Sequence, residues 1–255
     1  MRQSDRFGVI VERLSENGSV AVGDLAGQLG VSAATVRRDL ALMEEQRLLD
    51  RTHGGAVAHG VLYELPLRYR SARHQEQKAR IARAAAARVP DGSAIGMTGG
   101  TTTTEVARAL ADRERLTVVT NSLSIASELA VRPNLKLVVT GGVARTESYE
   151  LVGPLAESAL ASLNLDLVVI GVDGIDVRAG FTTHHEVEAH TNRALIERAR
   201  QVIVAADSSK IGKVAFARIC DLDEVITDAA ADPAQIEAIR SAGIAVTLVE
   251  AGPAR

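Results

Sequence analysis

Apolar positions in residues 1–57 recur at helical spacing. In "RFGVIVERLSENG" Phe7, Ile10, Val11 and Leu14 share one face, and Asn17-Gly18 ends the run. In "SVAVGDLAGQLGVS" Leu25, Ala26 and Leu29 form a second stripe, closed by Gly30. "SAATVRRDLALMEEQ" then opens at Ser32, a good N-cap, and Val36, Leu40 and Met43 follow at i, i+4 and i+7. Ala34, Thr35, Arg37, Arg38 and Ala41 lie off that stripe and face outward. A short helix, a glycine turn and a second helix predict a helix-turn-helix, and "RLLDRTHGGAV" predicts two short strands pivoting near His53-Gly54-Gly55, a wing.

From about Glu76 the pattern changes. "SAIGM", "TVVTN", "KLVVTGG", "DLVVIGVD", "QVIVAADSS", "EVITD" and "AVTLVE" are short, β-branched and apolar almost throughout. Amphipathic stretches lie between most of them: Glu105–Ala111, Ser122–Ala130, Leu155–Leu163, Glu188–Arg200 and Pro233–Ser241. Continuously apolar strands alternating with helices predict an α/β class, an open, mostly parallel sheet with helices on both faces. The expected organisation is a winged helix-turn-helix over 1–57, a connector over 58–75 and an α/β domain over 76–255. The connector region is basic: Ala58 to Pro90 holds seven Arg or Lys against Glu64 and Glu76.

Composition narrows the function classes. The chain is 46% hydrophobic and 24% charged with a net charge of −3, and no apolar run is long enough for a membrane helix. "MRQSDRFGVIVERL" lacks the apolar core of a signal peptide, so a cytoplasmic protein is expected. The single cysteine, Cys220, excludes an intrachain disulfide framework and predicts a small buried residue. Aromatic residues are 2% with no tryptophan, which disfavours stacking on single-stranded nucleic acid.

Duplex DNA suits the first domain better. Arg37 and Arg38 could meet phosphates or guanine edges in a major groove, Ser32 and Thr35 could take contacts at the helix start, and Arg51 and His53 could reach from the wing. The plain alternative is a solvated helix face. Residues 1–57 carry seven arginines against eight acids, so the domain is not basic overall. Most of these acids sit away from the outward face. Asp39 would repel a phosphate there and is expected to turn inward and pair with an arginine. Few contacts per subunit favour a homo-oligomer, a dimer or tetramer.

The stretch "VAVGDLAGQLGVSAATVRRDLALMEEQRLLDRTHGGAV" resembles the DNA-binding signature of the DeoR family of bacterial transcriptional regulators. It carries the L-G-V-S turn, the T-V-R-R-D-L core and the R-T-H-G-G-A wing without interruption. The resemblance implies a double-stranded DNA operator as partner. Arg47 departs from it, since the family usually has glycine after the recognition helix, and a non-glycine in a left-handed cap costs about 1 kcal/mol.

"GMTGGTTTTEVARAL" poses the chemical question of the second domain: catalytic phosphate loop, binding loop or polar turn. Polar or glycine-rich loops follow five of the predicted strands, and in an open parallel sheet ligands sit at those carboxyl ends. They contribute Gly99, Gly100, Thr101, Thr102 and Thr103; Asn121; Gly141, Gly142, Arg145 and Glu147; Asp173; and Lys210. The first loop runs from strand into helix, where backbone amides hold an anion, with the threonine hydroxyls as added donors and Lys210 as a compensating charge. No G-K-[ST] follows, which argues against nucleotide hydrolysis. A turn with Thr101 as simple N-cap is the plain alternative.

The DeoR resemblance extends here too. The sensor-domain elements appear as Ile95 to Thr103, Thr120 to Ser122, Gly141-Gly142, Glu147 to Gly153, Glu188 to Arg193 and Asp207 to Gly212. It implies a fold similar to ribose-5-phosphate isomerase and a phosphorylated sugar or sugar-derived effector. Effector binding at the strand ends is expected to shift the orientation of the two domains within an oligomer and so weaken operator binding. The family's usual aspartate before the glycine-threonine run is Thr98 here.

The alternative is an isomerase-like enzyme carrying a DNA-binding extension. The isomerase loop D-G-A-D-E-I-D reads Ile170 to Asp176 here, without its first carboxylate or its glutamate, so Asp173 lacks an obvious second acid-base group. In "THHEVEAH", His185 and His190 are five apart, about 140° around a helix, which does not suit one metal. His184 and His190 are no better placed, and no metal or cofactor is expected.

Overall fold

The computed structural model of the chain describes residues 3–46, 48–58, 74–219 and 223–250. The readings for Arg47, for Cys220 and for all but the ends of the 58–75 connector lie outside the described residues. The chain separates into two compact units, Met1–Arg73 and His74–Arg255.

In the first unit, helices α1 (Gln3–Asn17), α2 (Val22–Leu29) and α3 (Ala33–Glu45) accompany strands β1 (Ser19–Ala21), β2 (Leu49–Thr52) and β3 (Gly55–Ala58). The apolar stripes meet as expected. Phe7, Ile10, Val11, Leu14, Leu25, Leu29, Val36, Leu40 and Met43 form one buried cluster. Gly30 ends α2 in the left-handed region, and Ser32 caps α3 by accepting the Thr35 amide at 3.1 Å. The wing pairs β2 with β3, and β1 adds a third antiparallel strand in the order β1-β3-β2. Three residues are too few to show a two-residue period, so β1 is not legible in the sequence.

In the second unit a seven-stranded sheet runs in the order β15-β14-β12-β9-β4-β5-β6, with every neighbouring pair parallel. These strands are β4 (Ala94–Met97), β5 (Thr117–Thr120), β6 (Lys136–Val139), β9 (Leu167–Ile170), β12 (Val202–Ala205), β14 (Glu224–Asp228) and β15 (Ala245–Val249). All seven fall on the predicted apolar runs. Helices α4 (Gln75–Ala86), α5 (Thr101–Leu110) and α6 (Leu123–Leu129) share a buried cluster on one face through Ile81, Leu110 and Ile125. Helices α7 (Pro154–Leu160), α8 (Glu186–Ile196) and α9 (Pro233–Ser241) contribute Leu160, Leu195 and Ile239 to a second cluster on the other.

The helix boundaries differ in detail. α5 begins at Thr101, four residues before the predicted stretch, because the threonine run is the first turn of the helix. α8 covers Glu186–Ile196, shifted from Glu188–Arg200. Two small antiparallel elements were not anticipated: the hairpin of β7 (Val143–Ala144) with β8 (Leu151–Val152), and a sheet in the order β10-β11-β13. The latter contains β10 (Gly174–Asp176), β11 (Gly180–Thr183) and β13 (Ala217–Arg218).

Gly55 tolerates no substitution. A Cβ there would lie 2.0 Å from the Val20 carbonyl oxygen, which is backbone and cannot swing away. Gly55→Ala should therefore separate β1 from β3 and destabilise the first unit by about 2–4 kcal/mol. Denaturant melts of wild type and variant check this, and a loss below about 1 kcal/mol would contradict the packing.

Candidate functional site

On α3, Arg37 and Arg38 are exposed, as are Ser32 at its start and Arg51 and His53 in the wing, while Thr35 is half-buried. The Ser32 and Thr35 hydroxyls lie 2.9 Å apart. Arg51 is partly committed: its amide donates to Glu44 at 3.0 Å and its guanidinium lies 3.6 Å from the same carboxylate. His53 and Gly54 form the turn between paired Thr52 and Gly55. Asp39 is 1% exposed, and its inward-facing partner is Arg6 of α1, which donates at 2.6 and 2.9 Å; Gln3 adds a bond at 3.3 Å. The acid next to Arg38 is thus withdrawn from the outer face.

In the second unit the five polar loops follow β12, β9, β4, β5 and β6, which are consecutive neighbours in the sheet. From β4 the chain proceeds outward to β5 and β6, then returns to place β9 on the opposite side of β4. The strand order therefore reverses between β4 and β9, where a crevice opens in sheets of this type. The Gly99-Gly100 loop and the Gly171 loop leave those two strands. A Cβ on Gly171 would meet the Gly99 carbonyl oxygen at 3.0 Å, and Gly100 has φ 140°.

No side chain caps α5 at Gly100, and its first helical bond is Thr104 N–H to the Gly100 carbonyl at 3.0 Å. The amides of Thr101, Thr102 and Thr103 precede that bond and have no partner within the helix. The hydroxyls behave differently from the sequence expectation: Thr103 and Thr104 both donate to the Gly100 carbonyl, at 3.0 and 2.7 Å. Thr103 thus offers its amide rather than its hydroxyl. Thr98 is fully buried and accepts the Gly171 amide at 3.1 Å, joining the two loops.

A line of charged and hydroxyl groups crosses the strand ends. Lys210 lies 3.3 Å from Asp173. The Thr183 hydroxyl lies 3.1 Å from Asp173 and 3.1 Å from Glu188. Glu188 pairs with Arg145 at 2.8 Å, and Arg145 lies 3.4 Å from Glu147. Glu147 sits below the usual carboxylate range, held there first by a backbone hydrogen bond and then by the charge of Arg145, against the opposing effect of burial. Asn121 is buried and donates to Asn192 at 3.3 Å.

Sequence reasoning placed Gly141 and Gly142 with the ligand groups; the chain geometry gives them a turning task as well. Gly141 has φ 72°, and a Cβ on Gly142 would lie 2.9 Å from the Val152 carbonyl oxygen. Arg145 stands in the loop after β6 as expected, whereas the positions of Thr183, Glu188 and Glu150 beside it do not follow from the sequence. Glu150 is 4% exposed and packs on Gly99. Glu188 also supplies a second carboxylate close to Asp173, which the Ile170–Asp176 stretch alone did not suggest. His185 caps α8 and His190 is exposed, and no cluster of metal-ligating side chains occurs among the described residues.

Comparison with known proteins places both units. A family model for the DeoR-like helix-turn-helix domain matches residues 6–59, and one for the DeoR C-terminal sensor domain matches residues 73–229. The chain is 37% identical to the HTH-type transcriptional regulator GlpR of Haloferax volcanii, covering 96% of this chain and 98% of that protein. It is 34% identical to the glycerol-3-phosphate regulon repressor of Escherichia coli, over 90% and 92% of the two chains. The transcriptional repressor AccR of Agrobacterium fabrum is 38% identical, over 88% and 89%. Among solved structures, ribose 5-phosphate isomerase A of Methanocaldococcus jannaschii aligns with a TM-score of 0.40 at 20% identity, over 53% and 54% of the chains.

Thr98 gives this site a direct check. Thr98→Val keeps the shape but leaves the Gly171 amide without its acceptor, which should cost about 1–3 kcal/mol in a denaturant melt. Thr98→Ser should retain most of the stability. Equal stability of the Val variant and wild type would show that this bond does not hold the loops together.

Proposed function

We propose that this chain, which belongs to the DeoR family of transcriptional regulators, represses its target genes by binding a double-stranded operator and is released by a phosphorylated sugar or sugar-derived metabolite. The sensing half rests on one observation. The uncapped N-terminus of α5 lies where the strand order reverses, so its amides and helix dipole favour a phosphate there. Lys210 and Asp173 stand at the same strand ends, and an arriving phosphate would compete with Asp173 for the lysine. A coupling of about 1–3 kcal/mol between effector and operator sites suffices for a useful change in DNA affinity.

The recognition half rests on Arg37 and Arg38, exposed on α3 while Asp39 is held by Arg6. Modest charge in this unit favours binding by a homo-oligomer, in which each subunit adds contacts to a repeated half-site. The enzyme reading keeps one point in its favour: Asp173 and Glu188 share Thr183 as a neighbour. Both carboxylates are also held in ion pairs, with Lys210 and Arg145, which suits binding better than proton transfer. Turnover of ribose or hexose phosphates by the purified protein would reverse the choice.

Two measurements test the regulator reading. Arg38→Ala should weaken binding to the DNA upstream of the protein's own gene by about tenfold or more in gel shifts, at nearly unchanged melting temperature. Normal operator affinity would remove Arg38 from the interface. Replacing Thr102 and Lys210 together should leave operator binding intact but abolish release by sugar phosphates that release the wild type. Normal release from the double variant would place the phosphate elsewhere.

A further inference from the structure

We propose that Arg6 is a positioning residue for operator recognition: its two-pronged bond to Asp39 fixes the rotation of α3 about its own axis, and so the direction in which Arg37 and Arg38 point. This rests on the reading of α3 as the helix that meets DNA. Neither Arg6 nor Asp39 contacts the DNA, and both act through the arginines that precede Asp39. Arg6 Nε donates to Asp39 Oδ2 at 2.6 Å, and its Nη2 donates to Oδ1 at 2.9 Å. Gln3, one turn earlier on α1, donates to Oδ1 at 3.3 Å. The Asp39 side chain is 2% exposed and that of Arg6 13%, so the pair is shielded from water and salt.

Around this pair Phe7, Ile10 and Val11 of α1 and Val36, Leu40 and Met43 of α3 belong to one buried cluster. Apolar burial has no direction of its own and tolerates a small roll of one helix against the other. A carboxylate gripped at both oxygens by a planar guanidinium does not, because two bonds must keep their lengths and angles together. Successive helical residues lie about 100° apart, so an inward Asp39 sets Arg38 about 100° and Arg37 about 200° away from it. Both arginines are exposed. The other tie on α3, from Glu44 to the Arg51 amide at 3.0 Å, is solvent-exposed and holds only the carboxyl end of the helix. An ion pair as buried as Arg6–Asp39 contributes little net stability over an apolar pair of the same volume; what it adds here is a single geometry.

The experiment is a fluorescence-anisotropy titration of the full chain against two labelled duplexes, one from the region upstream of its own gene and one of the same composition in scrambled order. Wild type is compared with Asp39→Asn, Arg6→Lys and Arg38→Ala, each at a temperature where circular dichroism shows it folded. Asp39→Asn keeps the shape but gives up one charge and one prong of the fork. It should weaken binding to the upstream duplex about tenfold, the effect of leaving the reading orientation populated about one-tenth of the time. Its affinity for the scrambled duplex should stay the same or rise, because the first unit has lost a negative charge. Arg6→Lys retains the charge without the fork, so it should lose affinity for the upstream duplex and none for the scrambled one. A purely electrostatic role would make Asp39→Asn bind both duplexes more tightly, and a role only in holding the fold would weaken both alike; either result overturns the proposal. If Asp39→Asn and Arg6→Lys keep the wild-type preference while Arg38→Ala loses it, α3 remains the reading helix and the positioning role falls. If Arg38→Ala binds the upstream duplex normally, or wild type does not prefer that duplex, the reading of α3 is wrong and the proposal falls with it.

Discussion

The second unit depends on a contact between two backbones. Where the strand order reverses, the loop leaving β4 and the loop leaving β9 approach with glycine on each side. Gly171 faces the Gly99 carbonyl, so a side chain on Gly171 would press on the loop after β4, while one on Gly99 would meet the Glu150 side chain. Thr98 then fastens them through the Gly171 amide. Only because these backbones meet so closely does the first turn of α5 end with its amides at the strand ends.

Around that contact the polar groups are sorted. The α5 amides are donors, and Asn121 Oδ1 is a buried acceptor with no hydrogen bond among the described residues. The ionised groups cross the strand ends as two opposite-charge pairs, Lys210 with Asp173 and Glu188 with Arg145. Thr183 joins the two pairs with a single hydroxyl hydrogen, which can serve only one carboxylate at a time. An arrangement of paired charges is suited to exchange partners with an anionic ligand, since each ion released from its pair gains a new one. It offers little to a reaction that needs one carboxylate unencumbered as a base.

The first unit solves a different electrostatic problem with the same means. Over residues 1–57 acids outnumber arginines by eight to seven, yet the recognition helix presents Arg37 and Arg38 outward. The sequence places Asp39 immediately beside them, and the two-pronged bond from Arg6 turns that charge into the contact between α1 and α3. Removing Arg6 would leave the buried Asp39 carboxylate without its two-pronged partner, so the orientation of the helix and its outward charge are linked.

The apolar periods were enough to place all seven parallel strands, the helix-turn-helix and the wing, because burial on one or both faces imposes those periods directly. The glycine-threonine loop and the strand-end positions of Asn121, Asp173 and Lys210 were legible for the same reason: each follows an apolar run. Short pieces such as β1 and the β7–β8 hairpin were not, since two or three residues carry no period. Nor could local pattern reveal Glu150, Thr183 or Glu188 as neighbours of those strand ends. Their proximity is set by the order of strands and by loops folding back across it. Neither the Thr103 hydroxyl's turn to Gly100 nor the burial of Thr98 is a property of the residue alone. Tertiary structure decided those, because a hydrogen bond forms with whatever the fold brings within reach, and only the fold determines that.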